Sequence, residues 1–346
     1  MGLEERKALF TKLESELNAR VLVLVTGDRQ GMETRIAPDC LPMVSEHLSR
    51  MGTVERLALF LYTPGGDSIA GWGLVHLLRQ YCHHLSVVVP FRALSCGTLI
   101  ALGADEILMG RHGLLSPIDP SVGSPFNPPA PGMAQPGQVQ LLPVSVEDMV
   151  GFLELARNEV GLKSEDSLVE VLKLLADKVH PLALGAVYRA REQSSDLAKR
   201  LLAHQLEDEA KVERIVKRLS KELPTHNYLI GRKEATALEL PLRDPSAEVE
   251  DLMWSLYKEY EGWLELTRPM NPNLDLGAES QKRLRYDRAA IESLAGGRFI
   301  QHVYVSDKEL IRMKVTIPGA PAPTEQVAER LFYQGWAGFL DGEVLK

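Results

Sequence analysis

The sequence predicts an α/β protein built on a parallel sheet. Three short apolar runs, each closed by turn residues, are typical of buried strands and span residues 21–25, 57–62 and 85–89. Helical spacing follows each of these runs, over residues 38–51, 68–82 and 96–103. Strands that alternate with helices favour a parallel sheet, because each crossover helix returns the chain to the same end of the sheet.

Composition narrows the class of protein. The chain has 346 residues, is 45% hydrophobic and carries a net charge of -8, which allows a packed core and disfavours a nucleic-acid binder. Its three cysteines form no CxxC pair, and no apolar run is long enough to cross a bilayer. We therefore expect a cytoplasmic protein without a membrane anchor, disulfide framework, metal site or cofactor.

The chain is predicted to hold two parts. Residues 1–245 form the main α/β domain, interrupted by a long Pro- and Gly-rich loop at 116–143 and followed by a helix-rich middle section. Residues 246–346 form a C-terminal helix with a small β extension, which we expect to assist homo-oligomerisation. That extension is predicted as a short strand pair, 299–305 and 310–317.

Two loops that follow buried strands carry the residues suited to chemistry. The first is Thr63-Pro64-Gly65-Gly66-Asp67 and the second is Ala93-Leu94-Ser95-Cys96-Gly97-Thr98. Both should lie at the carboxyl edge of the sheet, where ligands bind in open α/β folds. Ser95 is then a candidate nucleophile, and the backbone N–H groups of Gly65 or Gly66 and of Cys96 can form an oxyanion hole. Alternatively, Ser95 only caps the helix and the glycines only make a turn.

Together the two loops resemble a known family. The stretches 59–66 and 93–107 are similar to the serine dehydrogenase proteinase (SDH) family of the Clp protease/crotonase fold, which is related to signal peptide peptidase A. Weaker support comes from Ser116-Pro117-Ile118-Asp119-Pro120, from 180–185 and from 225–235. The resemblance implies a spiral of β-β-α units, a serine peptidase with Ser95 as nucleophile, and assembly into trimers or larger rings.

The general base does not align with either related group. Membrane-bound archaeal relatives place a lysine where this chain has residues 143–146, and Clp proteases place a histidine where it has residues 117–119. The third triad position of both groups aligns with Asn227, and His226 lies beside it. His226, assisted by Asn227, is therefore the first candidate for the base, and His180 is the second. Asp119 could orient a base or simply form a turn.

Three functions stay open from the sequence. The favoured one is an ATP-independent serine endopeptidase that acts on peptides or unfolded proteins. The second is a catalytically inactive scaffold or peptide-binding protein, because neither known base is present at its aligned position. The third is a crotonase-type acyl-CoA enzyme, which uses the same backbone oxyanion hole. Cys96 is either a rival nucleophile or a small buried residue whose N–H group is used.

Overall fold

The computed structural model describes residues 2–119, 121–122, 125–128, 141–142, 144–223, 225–315 and 324–344. These residues fall into two compact units. Unit 1 comprises the described parts of Met1–Leu115 and Ile230–Lys346, and unit 2 those of Ser116–Leu229. Most of the predicted loop 116–143 lies outside the described residues, and the domain boundary predicted at residue 245 stays a prediction.

The first part of unit 1 alternates helices and strands in the predicted order. Its elements are α1 (Leu3–Leu17), β1 (Arg20–Thr26), α2 (Cys40–Met51), β2 (Val54–Tyr62), α3 (Ser68–Arg79), β3 (Cys82–Val89), α4 (Cys96–Leu102), β4 (Glu106–Met109) and β5 (Leu114–Leu115). The C-terminal parts of β1, β2 and β3 are buried and, apart from Thr26 at the end of β1, mainly apolar, as expected of strands covered on both faces.

Unit 2 is mainly helical. Its elements are β6 (Ser121–Val122), β7 (Val144–Ser145), α5 (Val146–Glu154), α6 (Glu165–Lys178), α7 (Pro181–Leu202) and α8 (Glu209–Lys217). One π-helical turn, Leu155–Glu159, extends α5, and another, Arg218–Glu222, extends α8. Ser164 and Asp208 cap α6 and α8 by accepting backbone N–H groups, which fixes where these helices begin.

The rest of unit 1 differs from the prediction. Its elements are β8 (Ile230–Gly231), α9 (Arg232–Ala237), β9 (Leu242–Arg243), α10 (Ala247–Trp263), α11 (Pro272–Leu276), β10 (Gln281–Ala295), β11 (Arg298–Val315), β12 (Thr324–Leu340) and β13 (Glu343–Val344). The predicted strand pair within 299–317 is wrong, because β11 is one continuous strand paired with β10 and β12. Gly296 and Gly297, with φ of 58° and 76°, make the tight turn that joins β10 to β11.

All the long strands described in unit 1 belong to one nine-stranded mixed sheet. Its order is β13-β12-β11-β10-β1-β2-β3-β4-β9. In this sheet β1, β2, β3, β4 and β9 pair in parallel, whereas β10 pairs with β1 antiparallel and begins the antiparallel part. The predicted fold class, α/β with a parallel sheet and C-terminal strands, is confirmed.

One face of the sheet packs against α1 and α10. Alternate residues of β1 and β2, such as Val23 and Phe60, contribute to this core. Tyr257 and Tyr260 of α10 are buried in the same core, and Trp254 and Trp263 pack at its edge. The aromatic spacing of α10 is therefore used for packing, as its helical period indicates.

A buried histidine pair joins α2 to the antiparallel part of the sheet. His47 Nδ1 lies 2.7 Å from Ser293 Oγ, and His47 Nε2 lies 3.0 Å from His302 Nδ1. The second ring nitrogen of His302, Nε2, lies 3.3 Å from the Glu46 carboxylate. Burial, reinforced by His302 and Arg50, lowers the pKa of His47 to about 3. Burial also lowers the pKa of His302, although Glu46 opposes that shift.

This pair should make unfolding depend on pH. An unfolded histidine titrates near pH 6.5, so between that value and the folded pKa the unfolded chain binds more protons. The free energy of unfolding therefore contains the full contribution of these neutral histidines above about pH 6.5. Below that pH it falls by about 1.4 kcal/mol per pH unit for each such histidine. We expect the urea midpoint of unit 1 to drop from pH 7 to pH 5, and to drop less in His47→Gln. An equal drop in both proteins would contradict this assignment.

Candidate active site

The two loops singled out in the sequence are joined by backbone hydrogen bonds. The Thr63 N–H donates to the Arg92 carbonyl at 2.9 Å, and the Leu94 N–H donates to the Thr63 carbonyl at 3.0 Å. On its other side, the Ala93 N–H donates to the Leu114 carbonyl at 2.9 Å. The segment that leads to Ser95 is therefore held between two neighbouring segments of unit 1.

Ser95 occupies a sharp turn between this segment and α4. Its backbone has φ 52° and ψ -110°, a conformation that non-glycine residues rarely adopt and that costs on the order of 1–3 kcal/mol. Its side chain is half-buried and makes no capping hydrogen bond to α4. The alternative that Ser95 only caps the helix is therefore not supported. Backbone strain that serves no cap is typical of a nucleophile presented on a strand-to-helix turn.

Gly65 lies directly against Ser95. A Cβ atom at Gly65 would lie 3.0 Å from Ser95 Cβ and 3.2 Å from the Leu94 carbonyl oxygen. With φ at 120°, the position also favours glycine conformationally. The Gly65 N–H donates to Thr63 Oγ1 at 3.0 Å, so this amide already has an internal partner.

Gly66 is half-exposed and passes close to a neighbouring backbone segment. A Cβ atom here would lie 2.1 Å from the Ile36 carbonyl oxygen, so only glycine fits. The Ile36 N–H donates to the Gly65 carbonyl, and the Asp67 N–H donates to the Ile36 carbonyl. Within the described part of the chain, the N–H groups of Gly66 and Cys96 donate to no other group. These two amides therefore have the capacity to bind an oxyanion.

The Cys96 thiol is part of the packing. It is 1% exposed, and its Sγ donates to the Asp67 carbonyl at 3.1 Å. A Cβ atom at Gly71 would lie 2.5 Å from this sulfur, so α3 needs a glycine there to pack against it. Burial raises the pKa of the thiol far above its ordinary value, which leaves almost no reactive thiolate. The interpretation of Cys96 as a buried residue is the one that fits.

Unit 2 contains a histidine paired with a carboxylate. His226 Nδ1 lies 2.8 Å from Asp119 Oδ2, and the two side chains are 35% and 4% exposed. The Asp119 segment is held in place because the Ile118 N–H donates to the Leu219 carbonyl at 3.0 Å, and Ser194 Oγ donates to the Ile118 carbonyl at 2.5 Å. A buried carboxylate at Nδ1 orients a histidine ring and favours the tautomer that carries its proton on Nδ1.

The other candidates in unit 2 lie elsewhere. The Tyr228 N–H donates to the Thr225 carbonyl and closes a turn that carries His226. Asn227 is exposed on this turn. His180 caps α7, with its Nδ1 accepting the Leu182 N–H at 3.2 Å, and its ring stacks on Phe126. A structural role therefore accounts for His180.

Sequence reasoning missed the part played by Thr63. Its hydroxyl accepts hydrogen bonds from Thr26 Oγ1 at 2.7 Å and from the Gly65 N–H, and it donates to the Gly65 carbonyl at 3.1 Å. It thereby ties the glycine loop to the end of β1. The sequence signal that could have predicted this contact is the pair of threonines at the ends of two buried strands, Thr26 after β1's apolar run and Thr63 after β2.

Comparison with known proteins decides the family that the chain resembles. Residues 50–153 match the model of the ClpP-like SDH-type serine proteinases. The resemblance inferred from the two loops is confirmed. The matched segment contains Gly65, Gly66, Ser95, Cys96 and Asp119.

Two curated relatives come from Methanocaldococcus jannaschii. The uncharacterized protein MJ0137 is 28% identical over 205 residues, which is 59% of this chain and 59% of that protein. The uncharacterized protein MJ1495 is 38% identical over 65 residues, which is 19% of this chain and 22% of that protein. The chain thus matches about three fifths of the length of one relative and about a fifth of the other.

Two solved structures show low similarity. A mutant of the 1510-N membrane-bound stomatin-specific protease has a TM-score of 0.34 and 15% identity, covering 63% of this chain and 79% of its own. ClpP1 from Listeria monocytogenes has a TM-score of 0.36 and 14% identity, covering 71% of this chain and 99% of its own. Among the residues described here, none of the helices has the length and apolar character needed to span a membrane.

Proposed function

We propose that this protein is an ATP-independent serine endopeptidase with Ser95 as its nucleophile. The observation that carries the proposal is the strained, non-capping Ser95 packed against Gly65 at the start of α4. The match to ClpP-like serine proteinases over residues 50–153 supports the same chemistry. Peptides or unfolded proteins are the proposed substrates.

The proposed reaction has two halves. Ser95 Oγ attacks the peptide carbonyl carbon while His226 Nε2 accepts its proton, and the Gly66 and Cys96 amides receive the negative charge on the carbonyl oxygen. Protonated His226 then gives the proton to the leaving amine, which leaves an acyl-enzyme on Ser95. Water, deprotonated by His226, attacks this ester and releases the acid.

Asp119 is the proposed positioning residue for His226. By the resemblance, it lies in the stretch 117–119 where Clp proteases place their histidine, and His226 lies beside the position where they place their aspartate. The proposal therefore exchanges the places of base and carboxylate in the chain. The 2.8 Å pair between His226 Nδ1 and Asp119 Oδ2 supports this exchange. Asn227, on the exposed side of the turn, has no role in it.

Peptide hydrolysis tests the proposal. We expect the purified chain to cleave a mixture of unstructured decapeptides without ATP, and Ser95→Ala to lower the rate by at least about 10⁴-fold. The change removes only one oxygen, so circular dichroism and the melting temperature should stay close to those of the parent. Hydrolysis that persists in Ser95→Ala would exclude Ser95 as the nucleophile.

A further inference from the structure

Unit 2 encloses a cavity that the proposed reaction does not explain. Its volume is about 280 Å³, and Asp119, the positioning residue for His226, forms part of its wall. Leu219 and Leu223 provide apolar wall, and Arg191 of α7 provides a positive charge. A cavity that shares a wall with a proposed catalytic pair is well placed to hold part of a substrate.

Arg191 is a half-buried cation. Its Nε is shielded from solvent and has no hydrogen-bond partner. Among the residues that the structure describes, its guanidinium forms no ion pair. A shielded, unpaired guanidinium N–H is unfavourable, and a bound carboxylate would compensate it with charge-assisted hydrogen bonds.

The other charges around the cavity do not neutralise Arg191. Asp119 is engaged with His226, and Glu222 pairs with Lys217 at 2.7 Å. Lys221 is part of the wall and lies 3.7 Å from Glu192, which is not. Glu154 is exposed to solvent. Among the described residues of the wall, Arg191 is therefore the charge that is shielded from solvent and forms no ion pair.

We propose that this cavity is a substrate subsite in which Arg191 binds the carboxylate of an aspartate or glutamate side chain. The inference rests on the proposed function, because it takes the His226–Asp119 pair as the catalytic base and its positioning residue. Leu219 and Leu223 would contact the methylene part of the side chain, and Arg191 would pair with its acidic end. The enzyme would then prefer peptides with an acidic residue at one fixed position from the cleaved bond.

Cleavage of a randomised decapeptide mixture, read by mass spectrometry, tests this preference. We expect acidic residues to be enriched about tenfold at one position relative to the cleaved bond, with the enrichment lost in Arg191→Gln through a higher KM at similar kcat. Arg191→Lys should keep part of it, because the charge remains. Arg189→Gln is the matched control, since Arg189 lies on α7 but is exposed and outside the cavity wall.

Binding separates failure of this inference from failure of the proposed function. Full-length Ser95→Ala is used to capture peptides from the same mixture, alone and combined with Arg191→Gln. Acid-enriched capture that disappears with Arg191→Gln supports the subsite even if the parent cleaves nothing. Cleavage or capture without acidic enrichment, or enrichment unchanged in Arg191→Gln, overturns the subsite, as does the absence of both cleavage and capture.

Discussion

His226→Ala should lower kcat/KM for peptide hydrolysis by on the order of 10³-fold. A serine hydroxyl is a weak nucleophile at neutral pH, and a positioned base contributes about 10²- to 10⁴-fold to the rate. Buried Asp119 lies 2.8 Å from His226 Nδ1, which is the arrangement that orients a histidine ring for this role. The measurement is steady-state hydrolysis of a fluorogenic peptide selected from the cleaved mixture.

Two further variants make this experiment decisive. Asp119→Asn should also lower kcat by at least about 10²-fold, because the amide can hold the ring in the wrong tautomer. His180→Ala should leave kcat within a few-fold of the parent, since His180 caps α7 through the Leu182 N–H. Full activity in His226→Ala together with inactivity in His180→Ala would reverse the assignment of the base.

Glu292→Ala should destabilise unit 1 by about 3–5 kcal/mol. Glu292 is completely buried and forms two contacts with Arg6, at 3.1 and 3.2 Å. It also accepts hydrogen bonds from the hydroxyl of Tyr260 and from Gln301 Nε2. Its removal leaves the buried Arg6 guanidinium without its carboxylate, which is one of the most unfavourable changes in a protein core. The urea midpoint, followed by circular dichroism, measures the effect.

A double variant separates this cause from simple loss of packing. Arg6→Met combined with Glu292→Leu removes both charges and keeps most of the volume, so it should be more stable than Glu292→Ala alone. Glu4→Ala, on the same helix as Arg6 but in an exposed pair with Lys7, is the control and should hardly move the midpoint. A double variant as unstable as Glu292→Ala would show that the unpaired charge is not the cause.

The parallel half of the sheet was predictable because its signal is local. Residues 21–25, 57–62 and 85–89 are short, apolar and rich in branched side chains, which suits strands buried on both faces. The two loops after 57–62 and 85–89 had to meet once these strands were parallel neighbours. The hydrogen bond between Leu94 and Thr63, which joins the two loops, follows from this strand order.

The antiparallel half was not predictable in the same way. The polar segment 306–309 interrupts the apolar pattern of β11, and we interpreted it as a break between two short strands. In the structure cross-strand ion pairs replace the apolar contacts, with Asp307 lying 2.5 Å from Arg283 and Lys308 lying 2.8 Å from Glu329. The two partners of each ion pair are 24 and 21 residues apart in the chain, so a local sequence pattern cannot predict these pairs.

The two halves of the candidate chemistry differed for a related reason. Ser95 and the glycines lie in short motifs with recognisable spacing. The partner of His226 lies 107 residues earlier in the chain, in a segment that can equally be interpreted as a turn. Sequence therefore suggested the histidine and named Asp119 as one option, and the fold of unit 2 brought the two together.

Labelling with a fluorophosphonate is the measurement that tests the central proposal most directly. The reagent reacts with activated serines, and peptide mapping identifies the modified residue. We expect one label on Ser95, absent from Ser95→Ala and strongly slowed in His226→Ala. A folded protein that takes no label at Ser95, even at high reagent concentration, would contradict the proposal and favour a scaffold that keeps the fold without the chemistry.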